Sequence, residues 1–206
     1  MGTLKSLFVM SVMLLIVAFN SFSQDKTVVQ AFRESYTQES KGDYTAAAKE
    51  IMSVYKEDSY EMNLRMGWLK YMGGMFTESI TYYEKAIKLK PMSEEARLGI
   101  VYPASSLGNW DQVLMHYNKI LEQSPAQTTV LYRVGLIYYN KGDFAKAGSY
   151  FEKLVNLYPF SYDGLLMYAW TCYKLGKLNE AKVLFNKVLL LSPDDSSATE
   201  GLSLIK

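Results

Sequence analysis

From Thr128 to Lys141 the apolar and small positions fall at Leu131, Val134, Gly135 and Tyr138, the spacing of one helix face. Gly142-Asp143 interrupts the pattern, and Gly is the residue best suited to ending a helix. The helical spacing resumes from Phe144 to Leu157 through Ala147, Phe151 and Leu154. Pro159 then closes it, because Pro lacks the backbone donor and crowds the preceding turn. The stretch therefore predicts two helices joined by a tight turn.

The same layout recurs with a fixed period. Pro91, Pro125, Pro159 and Pro193 are spaced by 34 residues, as are Gly74, Gly108, Gly142 and Gly176. Phe76, Trp110, Phe144 and Leu178 repeat the spacing, each two residues after its Gly. Self-similarity at such a period is the signature of a stacked repeat architecture. The helix pairs fall at about 28–59, 60–93, 94–127, 128–161 and 162–195. The first keeps Lys41-Gly42-Asp43-Tyr44 and Ala47 but lacks the closing Pro and is two residues short. Residues 196–206 predict a short capping helix, with Asp194, Asp195 or Ser196 as its N-cap and Ala198, Leu202 and Ile205 on one face.

These residues resemble the tetratricopeptide repeat family. Its pattern of a large apolar residue, a small pair and Tyr in helix A, then Ala, an aromatic and Pro in helix B, is met by Leu131, Val134-Gly135, Tyr138, Ala147, Phe151 and Pro159. It is met again by Leu165, Ala169, Ala181, Phe185, Val188 and Pro193, and by Met66-Gly67, Ser79, Tyr83, Ala86 and Pro91. The resemblance implies an all-α solenoid of about five helix-turn-helix repeats over residues 24–206. Small residues such as Gly67, Gly135 and Ala169 would let paired helices approach while aromatics fill the grooves. The third pair departs: Val101 stands where a small residue belongs, Val113 replaces Ala, and Pro103 lies inside helix A. Pro103 removes the bond to Gly99 and predicts a kink, which would reshape the surface around Tyr102.

The resemblance also implies a concave face lined by outward positions of the A helices. Carried over by register, it places Tyr36, Trp68, Tyr71, Tyr102, Tyr132, Tyr139, Trp170 and Tyr173 there, an aromatic and poorly charged surface. Aromatic surface of this kind suits a protein partner. The alternatives are a glycan- or peptidoglycan-associated module, or rings that merely pack between helices. The family's carboxylate clamp is absent: no fifth position is Lys and no ninth is Asn. Arg33, Arg65 and Arg133 recur at the sixth position and are expected to be solvated or helix-paired.

The amino terminus carries a separate signal. Lys5 precedes a run from Leu7 to Phe19 that is apolar except for Ser11, and Ser21 and Ser23 provide small residues for cleavage. This predicts a signal peptide over residues 1–23, export to a periplasmic or envelope compartment, and no membrane span after cleavage. The run is shorter than the roughly 20 residues of a spanning helix, although a retained anchor is the competing reading. The Ser-Phe-Ser-Gln ending resembles signal peptides of Bacteroidetes-type bacteria.

Composition narrows the chemistry. Lys plus Arg is 22 and Asp plus Glu is 21, which disfavours nucleic acid as a partner. With one Cys and one His the chain supports neither an internal disulfide nor a Cys/His zinc site. His116 is expected to be a packing or surface residue on a B helix, and Cys172 an inert core thiol. No phosphate loop, nucleophile elbow or His-Glu-x-x-His stretch occurs. The expectation is a non-catalytic scaffold or adaptor, without cofactor or metal, that holds another protein or peptide segment.

Overall fold

The computed structural model describes residues 26–205. The signal peptide expected over 1–23 lies outside them. Among the described residues the chain is all-helical, with eleven helices and no strand. It divides into two compact units, one ending at Lys56 and one beginning at Glu57. None of these helices is long and apolar enough to cross a membrane.

The first unit is a helix hairpin, α1 (Val28–Glu39) and α2 (Tyr44–Met52). A reciprocal box between Thr27 and Gln30 caps α1, and Asp43 accepts from the Ala46 amide at 2.8 Å to cap α2. Ala31, Ala47 and Ile51 are fully buried between the helices. Lys26 pairs with both Glu34 and Glu50, joining the two helices at their edge.

The second unit is a stack of four hairpins and a cap. The hairpins are α3 (Tyr60–Met72) with α4 (Phe76–Leu89), α5 (Glu94–Ser106) with α6 (Trp110–Gln123), α7 (Thr128–Asn140) with α8 (Phe144–Leu157), and α9 (Tyr162–Lys174) with α10 (Leu178–Leu191). The cap is α11 (Ser196–Leu204), whose N-cap is Asp195. Each even-numbered helix of this unit from α4 to α10 ends two residues before one of the four periodic prolines. The turn within each hairpin uses a left-handed Gly. In the α7–α8 turn the Gly142 amide donates to Tyr139 and the Asp143 amide to Tyr138, the paired bonds of a Schellman ending. Gly142 has φ 78° and nothing within 4 Å of where a Cβ would stand. Gly142→Ala is therefore expected to cost about 1 kcal/mol through backbone strain alone. A urea midpoint unchanged from wild type would show that the turn relaxes.

The core is built by rings laid across glycines. A Cβ at Gly67 would stand 2.9 Å from the Tyr83 ring, and one at Gly99 only 2.3 Å from it. A Cβ at Gly135 would meet Phe151 at 2.7 Å, and one at Gly201 would meet Phe185 at 2.3 Å. A glycine from the ring's own hairpin, from the next hairpin or from the cap thus makes room for it. Phe151, Leu165, Ala169, Cys172, Phe185, Val188 and Ala198 join into one apolar cluster through the C-terminal repeats and the cap. Cys172 is fully buried, and burial pushes its thiol up to about 12, an inert state. Helix α5 continues unbroken through Pro103, which is itself buried.

Candidate functional site

The eight aromatic positions are unevenly exposed. Tyr36, in the first unit, is 55% exposed and packs its ring 6.5 Å from Phe32. In the second unit Tyr102 is 52% exposed, whereas Trp68, Tyr71, Tyr132, Tyr139, Trp170 and Tyr173 are half-buried. Trp68, Tyr71 and Tyr102 form one series: Tyr71 lies 5.9 Å from Trp68 and 5.6 Å from Tyr102, centroid to centroid. That series carries an aromatic surface from α3 to α5. The other four rings lean on the C-terminal core. Tyr132 packs at 6.0 Å on Phe151, and Tyr139 at 5.2 Å on Phe144. Trp170 packs edge-on against Phe185 at 5.1 Å and Tyr173 at 5.7 Å, and its Nε1 donates to Ser197 Oγ at 2.9 Å. Trp170 therefore ties the last hairpin to the cap.

Beyond Tyr102 the surface opens into a cleft of about 440 Å³ between α5, α6 and α7. Its walls include Leu98, Val101, Tyr102, Tyr117, Arg133 and Leu136. A hollow of about 200 Å³ at Trp110, Ile137, Asn140 and Lys141 continues it. Its origin lies in the glycine pattern. Tyr83 sits between Gly67 and Gly99, so its neighbours close on both sides. One repeat later the ring is Tyr117, and the corresponding positions are Val101 and Arg133. Neither flanking position of Tyr117 is a glycine that lets a backbone close on the ring, and Val101 and Arg133 line the cleft with it. Val113, the second departure in this repeat, is buried on its floor.

The cleft has a defined electrostatic character. Arg133 is the only charged side chain among its lining residues. It is exposed and makes no hydrogen bond or ion pair among the described residues. By contrast Arg65, another of the sixth-position arginines, is buried, while Arg33 lies exposed on the first unit. Burial raises the Tyr117 hydroxyl, and the Arg133 charge opposes that shift. Tyr117 therefore remains a neutral phenol at ordinary pH, and Arg133 makes the field in the cleft positive.

The lone histidine lies elsewhere. His116 is 4% exposed, with its Nδ1 3.4 Å from an Arg97 guanidinium nitrogen; a second Arg97 nitrogen donates to the Pro91 carbonyl at 2.8 Å. An arginine can only donate, so Nδ1 accepts and the ring proton sits on Nε2. Nε2 is buried with no hydrogen-bond partner among the described residues. Burial, then the Arg97 charge, pull His116 down to about 4. Among the described residues no three His, Cys, Asp or Glu side chains converge as a metal site would require.

Stacked helix hairpins, most of them with small residues at the crossing, define a helical repeat protein. Models of the tetratricopeptide repeat match residues 60–91 and 138–203. The photosystem I assembly protein Ycf3 of Prochlorococcus marinus strain MIT 9211 is 30% identical over 142 residues, 58% of this chain and 81% of that protein. The chain belongs to the tetratricopeptide repeat family. The CTR9 homolog of Arabidopsis thaliana is 23% identical over 206 residues, 93% of this chain, and the chain spans 18% of that protein's length. A crystal structure of a tetratricopeptide repeat protein from Parabacteroides merdae superposes with TM-score 0.72 at 22% identity, covering 85% of this chain and 71% of that one. MamA from Desulfovibrio magneticus gives 0.68 at 18% identity, covering 82% and 97%. At these identities the two structures speak for the fold alone.

Proposed function

We propose that this chain is an exported, non-catalytic adaptor that holds a segment of a partner protein along the odd-numbered helices of its larger unit. The observation that carries this reading is the continuous ring series Trp68–Tyr71–Tyr102 leading into an apolar cleft. Rings of this kind are the side chains that anchor protein interfaces. Family membership supports the same reading, because members present helix faces to other proteins, and one relative is itself named as an assembly protein. The rings tilt by 48° and 35° against one another, a ridged surface rather than the flat platform on which a sugar would stack. The apolar run from Leu7 to Phe19 with its small-residue ending supports export to the envelope. Tyr36 offers a separate contact on the first unit.

The test is crosslinking mass spectrometry on the full chain in its native cells, beside a Trp68→Ala/Tyr102→Ala variant. Truncating two aromatic anchors is expected to weaken binding by about 2 kcal/mol or more, roughly thirtyfold. Crosslinks from α3 and α5 to one protein should then disappear while the thermal midpoint stays near wild type. Partners retained by a folded variant would refute the reading.

A further inference from the structure

The cleft at Tyr102 differs in kind from the ring series that leads to it. It is concave and apolar-walled, and it carries a single unpaired charge. A flat contact would use none of these features. A volume near 440 Å³ exceeds that of any one side chain, so a large apolar residue enters with room for its backbone neighbours. Arg133 belongs to the same lining as Leu98 and Leu136. A guanidinium beside an apolar wall pairs with a carboxylate better than it would in open water, because the surrounding dielectric is lower. No Asp or Glu of the cleft lining competes for it.

We propose that the cleft between α5, α6 and α7 is a specificity pocket for a partner segment bearing a large apolar or aromatic side chain next to an Asp or Glu, with the side chain between Tyr102 and Tyr117 and the carboxylate on Arg133. This rests on the adaptor reading and gives the partner a chemistry. It also gives the Val101 and Arg133 departures a common setting: both line, with Tyr117, the cleft that stands where glycines close on Tyr83 one repeat earlier.

The probe is a phage-displayed dodecapeptide library selected on the immobilised full chain, with synthetic copies of the enriched peptides titrated by fluorescence anisotropy. The enriched peptides are expected to share an aromatic or Leu/Ile/Met residue within two positions of an acidic one. Arg133→Gln should weaken them about tenfold, the scale of one lost charge-assisted hydrogen bond. Replacing the peptide's acid by its amide should cost as much against wild type and little against Arg133→Gln. Arg133 is exposed, so folding is not at stake, and Arg133→Lys should recover part of the loss. Peptides without an acidic residue, or binding within twofold of wild type in Arg133→Gln, would overturn the pocket. Peptides indifferent to Arg133→Gln but lost with Trp68→Ala would overturn it while leaving the adaptor standing. A library that yields no binder overturns the pocket as well.

Discussion

Phe151→Ala is expected to lower stability by about 3–5 kcal/mol, the range for emptying a fully buried aromatic site. Phe151 has no exposed surface, and its ring rests where a Cβ at Gly135 would meet it at 2.7 Å. It also touches Tyr132 and belongs to the cluster that runs to Phe185 and Ala198. Repeat stacks are held by nearest-neighbour contacts, so the loss falls on both junctions of α8 at once. The midpoint of thermal unfolding should drop by roughly 10 °C, at about 2–4 °C per kcal/mol for a chain of this size. Tyr117→Ala makes the informative comparison. Tyr117 holds the same register one repeat earlier but borders the open cleft. Water reaches the space it vacates, so the expected cost is roughly 2 kcal/mol, without the full cavity penalty. Equal losses for the two variants would mean that the cleft closes around Tyr117 in solution.

That contrast shows what the chain discloses before folding. The 34-residue period, the turn glycines and the closing prolines place every helix of the larger unit, because each acts through local backbone geometry. The last N-cap is legible only as one of Asp194, Asp195 and Ser196, of which the fold uses Asp195, and Cys172 is legible as a core thiol from its column in the repeat. Pro103 reads as a kink within helix A; α5 runs through it as one helix with the ring buried. Register does not divide the aromatic face. Tyr102, Leu136 and Trp170 share one column, but Tyr102 is exposed while Leu136 packs on the C-terminal core and Trp170 meets Phe185 and the Ser197 hydroxyl. Arg133 is visible in the sequence as a sixth-position residue. Its role beside Tyr117 emerges only when the rings are seen lying on Gly99 and Gly201. The burial of His116 depends on Arg97 from another helix, a pairing that no local spacing records.

His116 gives the second large effect, an acid instability centred on one residue. In the folded chain burial and Arg97 hold it at about 4, against an ordinary value of 6.5. The fold thus favours the neutral ring. Its contribution is complete above pH 6.5, declines as pH falls and unfolded chains bind the proton more readily, and is gone below about pH 4. Each tenfold difference in proton affinity between folded and unfolded chains is worth about 1.4 kcal/mol, so the change across that window is on the order of 3 kcal/mol. Carboxylates lose stability in the same direction at lower pH, so the bare profile of the wild type does not isolate the histidine. His116→Gln does. It keeps a side chain able to accept from Arg97 and removes the titration. Urea unfolding at pH 7 and pH 4.5 should show wild type losing roughly 2–3 kcal/mol more than His116→Gln between the two values. Near-parallel profiles would mean that the imidazole is charged or solvated in the folded chain, and its burial against the Arg97 guanidinium would then be wrong.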